Sequence, residues 1–162
     1  LMKRGVTLGA DIPYCLMRGT ALSEGIGEKL SQLPPMPQCQ VLIAKPGISV
    51  STRTVYESLD AMDLAPKDHP DIDGMVEAIL AGSLPGITDR MQNVLETVTV
   101  SAYPVINDIK AKMLGLGAEG SLMSGSGPTV FGIFRERAAA ESAYRAMADS
   151  GLAKQVFLTT AV

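Results

Sequence analysis

The stretch SGSGPT, residues 124–129, places small hydroxyl-bearing residues between glycines. Successive small residues allow consecutive backbone N–H groups to point into one concavity, and such a concavity can face an oxyanion such as a phosphate. The same composition is typical of a tight turn between two strands, where glycine supplies a positive φ. The residues leave both interpretations open: a hairpin turn, or a phosphate-facing loop made by Ser124, Gly125, Ser126 and Gly127.

The segment GADIP, residues 9–13, offers a carboxylate at Asp11. Pro13 disfavours helical geometry at Ile12, so we expect an extended chain that fixes the direction in which it leaves Asp11. A carboxylate with a fixed direction suits a general base. Asp is also common as a turn or cap residue, and the spacing of residues alone does not distinguish this structural role from that of a general base.

Two nucleotide-binding motifs and a metal site are excluded. GLGAEG, residues 115–120, has the spacing of a dinucleotide fingerprint, but it follows a predicted helix and precedes a predicted strand, which is the reverse of the required order. The sequence contains no P-loop pattern. Cys15, Cys39 and His69 provide no set of zinc or iron ligands, so we predict two reduced thiols and no metal centre.

The elements that must position these residues follow from periodicity and turn signals. We predict bent strands rather than a helix over residues 9–33, and a central strand in CQVLIAKPG, residues 39–47. A helix is predicted after Ser51 or Thr52 as cap, with Val55, Tyr56, Leu59 and Met62 on one face. Further helices are predicted over residues 71–82, 87–102, 104–115 and 136–150, two strands flank residues 125–127, and a last strand lies in 155–162.

This order does not alternate as a doubly wound sheet requires. It predicts an α+β domain spanning residues 1–162, with an antiparallel, ferredoxin-like sheet, helices on one face and additional helices. A length of 162 residues is usual for one domain, and a hydrophobic content of 46% is sufficient for that domain to bury its own core. The net charge of −3 without a basic cluster argues against nucleic acid as a partner, and no apolar run is long enough for a membrane helix. We expect a cytoplasmic protein.

Four segments in this order carry a resemblance to a known family: LGADIPYCLMRGTALSEGIGEKL, AKPGISVSTRTVYESL, NVLE and GSLMSGSGPTVFGIF. Over nearly the whole chain they resemble the C-terminal half of the 4-diphosphocytidyl-2-C-methyl-D-erythritol kinases, which belong to the GHMP kinase superfamily. The resemblance implies transfer of the γ-phosphoryl group of ATP, with Mg2+, to an erythritol hydroxyl, and it makes Asp11 the catalytic base. It also implies a cytidine pocket containing Thr52 and Tyr56, although Thr52 could instead cap a helix and Tyr56 could pack on its apolar face. In that family the SGSGPT loop lies beside the phosphates without holding the nucleotide alone.

The resemblance also places the ATP phosphate loop, and the Lys that acts with Asp11, in an N-terminal half that this sequence does not contain. We therefore expect the chain alone to be inactive, and to expose apolar surface around Leu8, Ile12 and Tyr14 through which it could form a homodimer. Two alternatives remain: another GHMP small-molecule kinase, of the homoserine, mevalonate or galactose type, or a ferredoxin-like module that binds a small ligand and catalyses nothing.

Overall fold

The computed structural model describes residues 9, 12–65 and 68–161. The predicted base Asp11 and the apolar Leu8 lie outside the described residues. Within them, the strands are β1 (Ala21–Glu24), β2 (Lys29–Gln32), β3 (Gln40–Lys45), β4 (Gly120–Met123), β5 (Val130–Phe134) and β6 (Gln155–Thr160). The helices are α1 (Ile12–Met17), α2 (Thr52–Asp60), α3 (Ile72–Leu80), α4 (Leu84–Thr88), α5 (Glu96–Ala102), α6 (Val105–Gly115) and α7 (Arg137–Ala148).

Four strands form an antiparallel sheet in the order β4-β5-β3-β6, and β1 and β2 form a separate antiparallel hairpin. In the central strand, Ile43 lies opposite Phe131 on one side and Phe157 on the other. With helices between β3 and β4 and between β5 and β6, this is the ferredoxin-like split order. The predicted fold class is confirmed.

The core lies between this sheet and its helices. Because side chains alternate across a strand, Leu42 and Ala44 of β3 share one face with Val130 and Phe134 of β5, and all four are fully buried. They pack against the apolar faces of α6 and α7, which contribute Ile106, Ile109, Met113, Ala140, Ala143 and Met147. The opposite face of the sheet is partly covered by α4, because Leu84 at the start of this helix packs with Cys39 and Ile133.

The prediction for residues 9–33 is wrong in its first part. Residues 12–17 form α1, and only the residues after Thr20 form strands. Pro13 is the second residue of this helix, where its missing N–H removes no helical hydrogen bond. Pro13 therefore does not force Ile12 into an extended conformation, and the prediction that Pro13 fixes the direction of the chain after Asp11 in this way is wrong.

Of two other predicted helices, one matches its range closely and one is shorter than predicted. Asp71 caps α3 by accepting a hydrogen bond from the Gly74 N–H, at 3.0 Å. The helix predicted over residues 87–102 begins only at Glu96, because the segment before it forms turns. On α7, Glu141 pairs with Arg137 one helical turn earlier. Among the described residues, no helix is long and apolar enough to cross a membrane.

Candidate active site

The connection between β4 and β5, residues 124–129, is here called the glycine loop. It is a tight turn: the Ser124 N–H donates to the Thr129 carbonyl at 2.8 Å, and the Gly127 N–H donates to the Ser124 carbonyl at 3.0 Å. Gly125 and Gly127 have φ values of 56° and 87°. The N–H groups of Gly125 and Ser126 donate to no residue that the structure describes. The turn interpretation is correct, and its geometry also leaves two adjacent N–H groups for an anion.

Glycine is required at position 127 by two separate observations. A Cβ built there would lie 2.6 Å from Met123 Sδ and 3.3 Å from Thr99 Cγ2, and the φ is positive. At Gly125 the same construction meets nothing within 4 Å. Gly127 therefore lets the loop lie close to α5, whereas Gly125 is exposed and has open space beside it.

Helix α2 brings a predicted substrate-binding residue to the glycine loop. Thr52 Oγ1 lies 2.8 Å from Ser126 Oγ, although the two residues are 74 positions apart. The helix cap is Ser51, whose Oγ accepts a hydrogen bond from the Thr54 N–H. The cap interpretation of Thr52 is therefore wrong, and its hydroxyl is directed to the loop.

Tyr56 lies one helical turn after Thr52 and on the same face of α2. Its side chain is 50% exposed, whereas neighbouring Val55 is only 4% exposed and packs in the core. Of the four residues predicted for the apolar face, Val55 and Leu59 contact the core, and Tyr56 and Met62 are exposed. The Tyr56 ring is thus accessible for stacking, as a nucleobase pocket requires.

A cavity of about 220 Å³ lies between α2 and α5. Ser51, Val55 and Thr99 are among the residues that line it. Thr99 is fully buried, and its Oγ1 donates to the Ser126 carbonyl at 3.2 Å. The cavity therefore shares a wall with the residues that hold the glycine loop in place.

Residue-level reasoning missed two side chains that bind the end of β4 or the glycine loop that follows it. Asn93 Nδ2 donates to the carbonyls of Met123, at 2.9 Å, and Gly125, at 2.8 Å. Glu96 Oε1 accepts from the Met123 N–H at 2.7 Å. The only signal for them is NVLE, residues 93–96, which contributed to the resemblance without an assigned role.

The comparisons with known proteins agree with this architecture. Residues 75–153 match the family model described as "GHMP kinases C terminal". The chain is 55% identical, over 159 residues and 98% of its length, to a protein of Lachnospira eligens named 4-diphosphocytidyl-2-C-methyl-D-erythritol kinase. The chain is related to the GHMP kinases through this C-terminal region. It spans about half the length of the curated relatives it matches, since it covers 54% of the Lachnospira eligens protein.

Solved structures show this GHMP kinase fold directly. A crystal structure of 4-(cytidine 5'-diphospho)-2C-methyl-D-erythritol kinase superposes with a TM-score of 0.78 and 29% identity, over 98% of this chain and 56% of that one. Homoserine kinase from Cytophaga hutchinsonii superposes with a TM-score of 0.76 and 24% identity, over 94% of this chain and 51% of that one. The second match demonstrates a shared fold and no more.

The structure brings Thr52, Tyr56 and the glycine loop to one region. The placement of Asp11 relative to them lies outside the described residues. Within the described ranges there is no group of three or more His, Cys, Asp or Glu side chains that could hold a metal ion. The region is therefore built from hydroxyls, backbone N–H groups and one exposed ring, which suits a ligand with phosphate oxygens and an aromatic base.

Proposed function

We propose that the protein carrying this chain phosphorylates an erythritol hydroxyl of 4-diphosphocytidyl-2-C-methyl-D-erythritol with ATP, in non-mevalonate isoprenoid synthesis in the cytoplasm. The observation that carries the proposal is the 55% identity, over 98% of the chain, with a relative of that name. The proximity of Thr52 to Ser126 supports it, because two of the implied site residues meet across a long sequence separation.

In this proposal, α2 binds the cytidine end of the substrate. Tyr56 offers an exposed ring face for the cytosine, and a Tyr side chain loses little conformational entropy on stacking because it has only two χ angles. The Thr52 hydroxyl, on the same helical face, can donate to or accept from the ligand. The geometry of α2 thus places an apolar and a polar contact one helical turn apart.

Residues Ser124 to Gly127 of the glycine loop are proposed to lie next to the phosphates. The N–H groups of Gly125 and Ser126 donate to no described residue, and adjacent N–H groups in a turn favour a negatively charged oxygen. In phosphoryl transfer, such preorganised donors stabilise charge where it develops. The loop supports the site, and it does not hold the nucleotide by itself.

Asp11 is proposed as the catalytic base. The substrate hydroxyl oxygen forms a bond to the γ-phosphorus of ATP, the bond from that phosphorus to ADP breaks, and the Asp11 carboxylate accepts the hydroxyl proton. The family implies Mg2+ as well. The described residues offer no acidic cluster that fits the ion, so we derive no step through it.

In this proposal, the chain provides the substrate-binding part of the kinase. The family resemblance assigns the ATP phosphate loop and the Lys partner of Asp11 to an N-terminal half, so the 162 residues alone are expected to show no kinase turnover. We also propose a small molecule rather than nucleic acid or a membrane as the partner. Homodimer formation stays a prediction, supported by the exposure of Tyr14 and Leu16 on α1, and sedimentation would test it.

A coupled ADP-release assay tests the function. The complete protein should turn over the diphosphocytidyl substrate in preference to homoserine, mevalonate and galactose, and the 162-residue chain should not turn it over. Asp11→Asn should lower kcat by about 10²–10⁴-fold, the usual contribution of a positioned base. Asp63→Asn, the same change at an exposed loop position, is the matched control and should leave kcat unchanged.

The alternatives give different results in the same assay. Preference for another small alcohol would assign the protein to a different GHMP kinase. Unchanged phosphoryl transfer in Asp11→Asn would remove the base from the mechanism, and no turnover of any alcohol would favour a ligand-binding module.

A further inference from the structure

The segment NVLE, residues 93–96, has no assigned role in the function proposed above. It forms the turn that leads into α5, and its first and last side chains reach the end of β4. These contacts connect residues about thirty positions apart, so they are tertiary contacts rather than part of a local turn.

The Asn93 side chain uses all its polar groups. Its Oδ1 accepts from the Leu95 N–H at 3.0 Å, which fixes the local turn. Its Nδ2 donates to the carbonyls of Met123 and Gly125. The reverse orientation of the amide would place Oδ1 against two carbonyl oxygens, so only this orientation satisfies the contacts.

Glu96 completes the attachment. Its Oε1 accepts from the Met123 N–H, and its Oε2 accepts from Lys110 of α6. The Glu96 and Lys110 side chains are only 18% and 19% exposed, so their interaction is less screened than a surface ion pair. Met123, the last residue of β4, therefore has both its N–H and its carbonyl bound by NVLE.

We propose that Asn93 and Glu96 are positioning residues for phosphoryl transfer. By fixing where β4 ends and the glycine loop begins, they set the Ser126 hydroxyl against Thr52 and direct the N–H groups of Gly125 and Ser126. The inference rests on the proposed function. Precise placement matters because a displacement of about 1 Å at a reacting centre can cost roughly 10²-fold in rate.

The test is Asn93→Asp in the complete protein. The substitution keeps the shape and the acceptor for Leu95, but it replaces the donor with an oxygen that faces two carbonyls. Kinetics with the diphosphocytidyl substrate should show kcat lowered about 10- to 100-fold, with KM changed by less than about threefold. Asn107→Asp makes the same chemical change at an exposed position of α6 and should match the wild type.

Glu96→Gln gives a second, milder variant. Gln keeps an acceptor for the Met123 N–H and loses the charge that faces Lys110, so kcat should fall by roughly three- to tenfold. A wild-type kcat in both variants would overturn the proposal. So would a change in KM alone, because it would indicate uniform binding rather than alignment of the reacting groups.

Amide hydrogen exchange separates this inference from the function on which it rests. The Ser124 and Gly127 amides, which are hydrogen-bonded within the loop, should exchange at least about tenfold faster in Asn93→Asp than in Asn107→Asp, without substrate. Equal exchange would overturn the loop attachment. If the wild-type protein does not phosphorylate the diphosphocytidyl substrate, the proposed function fails, and the exchange result still decides whether NVLE holds the loop.

Discussion

Two hairpin turns in this molecule contain the pattern Gly-x-Gly, and they are held in different ways. In the β1–β2 turn, Gly25 and Gly27 flank Ile26, whose side chain is 72% exposed. The Glu28 carboxylate accepts the Ile26 N–H at 2.7 Å, so this turn is closed by its own residues. The glycine loop between β4 and β5 is instead bound by side chains from outside its hairpin, namely Thr52, Asn93 and Thr99, and Glu96 binds Met123 directly before the loop.

The difference separates a turn that only reverses the chain from one that is placed at a site. A local closure fixes the shape of a turn without fixing its location relative to other elements. Bonds from α2, α5 and the segment before α5 fix location as well, and location is what a phosphate-facing loop requires. The surroundings of the two turns therefore distinguish them better than their sequences do.

The largest expected contrast is the chemical reactivity of the two cysteines, one exposed and one in the core. Cys15 lies exposed on α1, whereas Cys39 is buried directly before β3. Burial raises the pKa of the Cys39 thiol, so less thiolate forms at a given pH, and the fold also limits access to it. Alkylation with iodoacetamide, followed by mass spectrometry, should label Cys15 at least about 100-fold faster than Cys39. Denaturant should remove the difference, and comparable rates in the native protein would contradict the described core.

A second contrast compares alanine at one glycine of each turn. Gly127→Ala should destabilise the chain by about 2–4 kcal/mol, because the new methyl would meet Met123 and Thr99 at a positive φ. Gly25→Ala should cost about 1 kcal/mol, because the group it meets is the end of the exposed Glu28 side chain. Urea unfolding measures both, and equal losses would show that the close packing of Gly127 against Met123 and Thr99 does not require glycine more than the exposed turn does.

The smallest expected effect concerns pH at the self-closed turn. Hydrogen bonds from the backbone N–H groups of Glu28 and Ile26 lower the pKa of the Glu28 carboxyl. A lowered native pKa means that the stabilisation is present above the ordinary Glu pKa and is lost as pH falls through the native value. The Ile26 amide should therefore become less protected from exchange in acid, after correction for intrinsic rates. Glu28→Gln should show no such pH dependence, and identical profiles would exclude this closure.

Much of the fold follows from local sequence patterns. The apolar run of β3 predicted a central strand, and the capping residues Ser51 and Asp71 fixed where α2 and α3 begin. These features depend on residues a few positions apart, so periodicity and caps suffice to find them. The α1 helix was missed because Pro13 was treated as a helix breaker, although a proline is tolerated in a first turn.

The candidate site could be predicted less completely than the fold from sequence patterns. Asn93 contacts residues 30 and 32 positions away, and no local pattern encodes such a pairing. Ser126 was chosen from the glycine-rich pattern and Thr52 through the family resemblance, but their direct contact emerged only from the fold. Tertiary hydrogen bonds of this kind depend on how elements pack, and packing is not determined by the spacing of residues within each element.

The pairing of Thr52 with Ser126 has one more consequence, because either hydroxyl can be the proton donor. If the hydroxyl that donates within the pair donates to a ligand oxygen instead, the other hydroxyl can rotate its O–H bond and become the donor within the pair. Both states then share the same heavy-atom positions, so recognising a donor or an acceptor at this point needs no rearrangement of the chain.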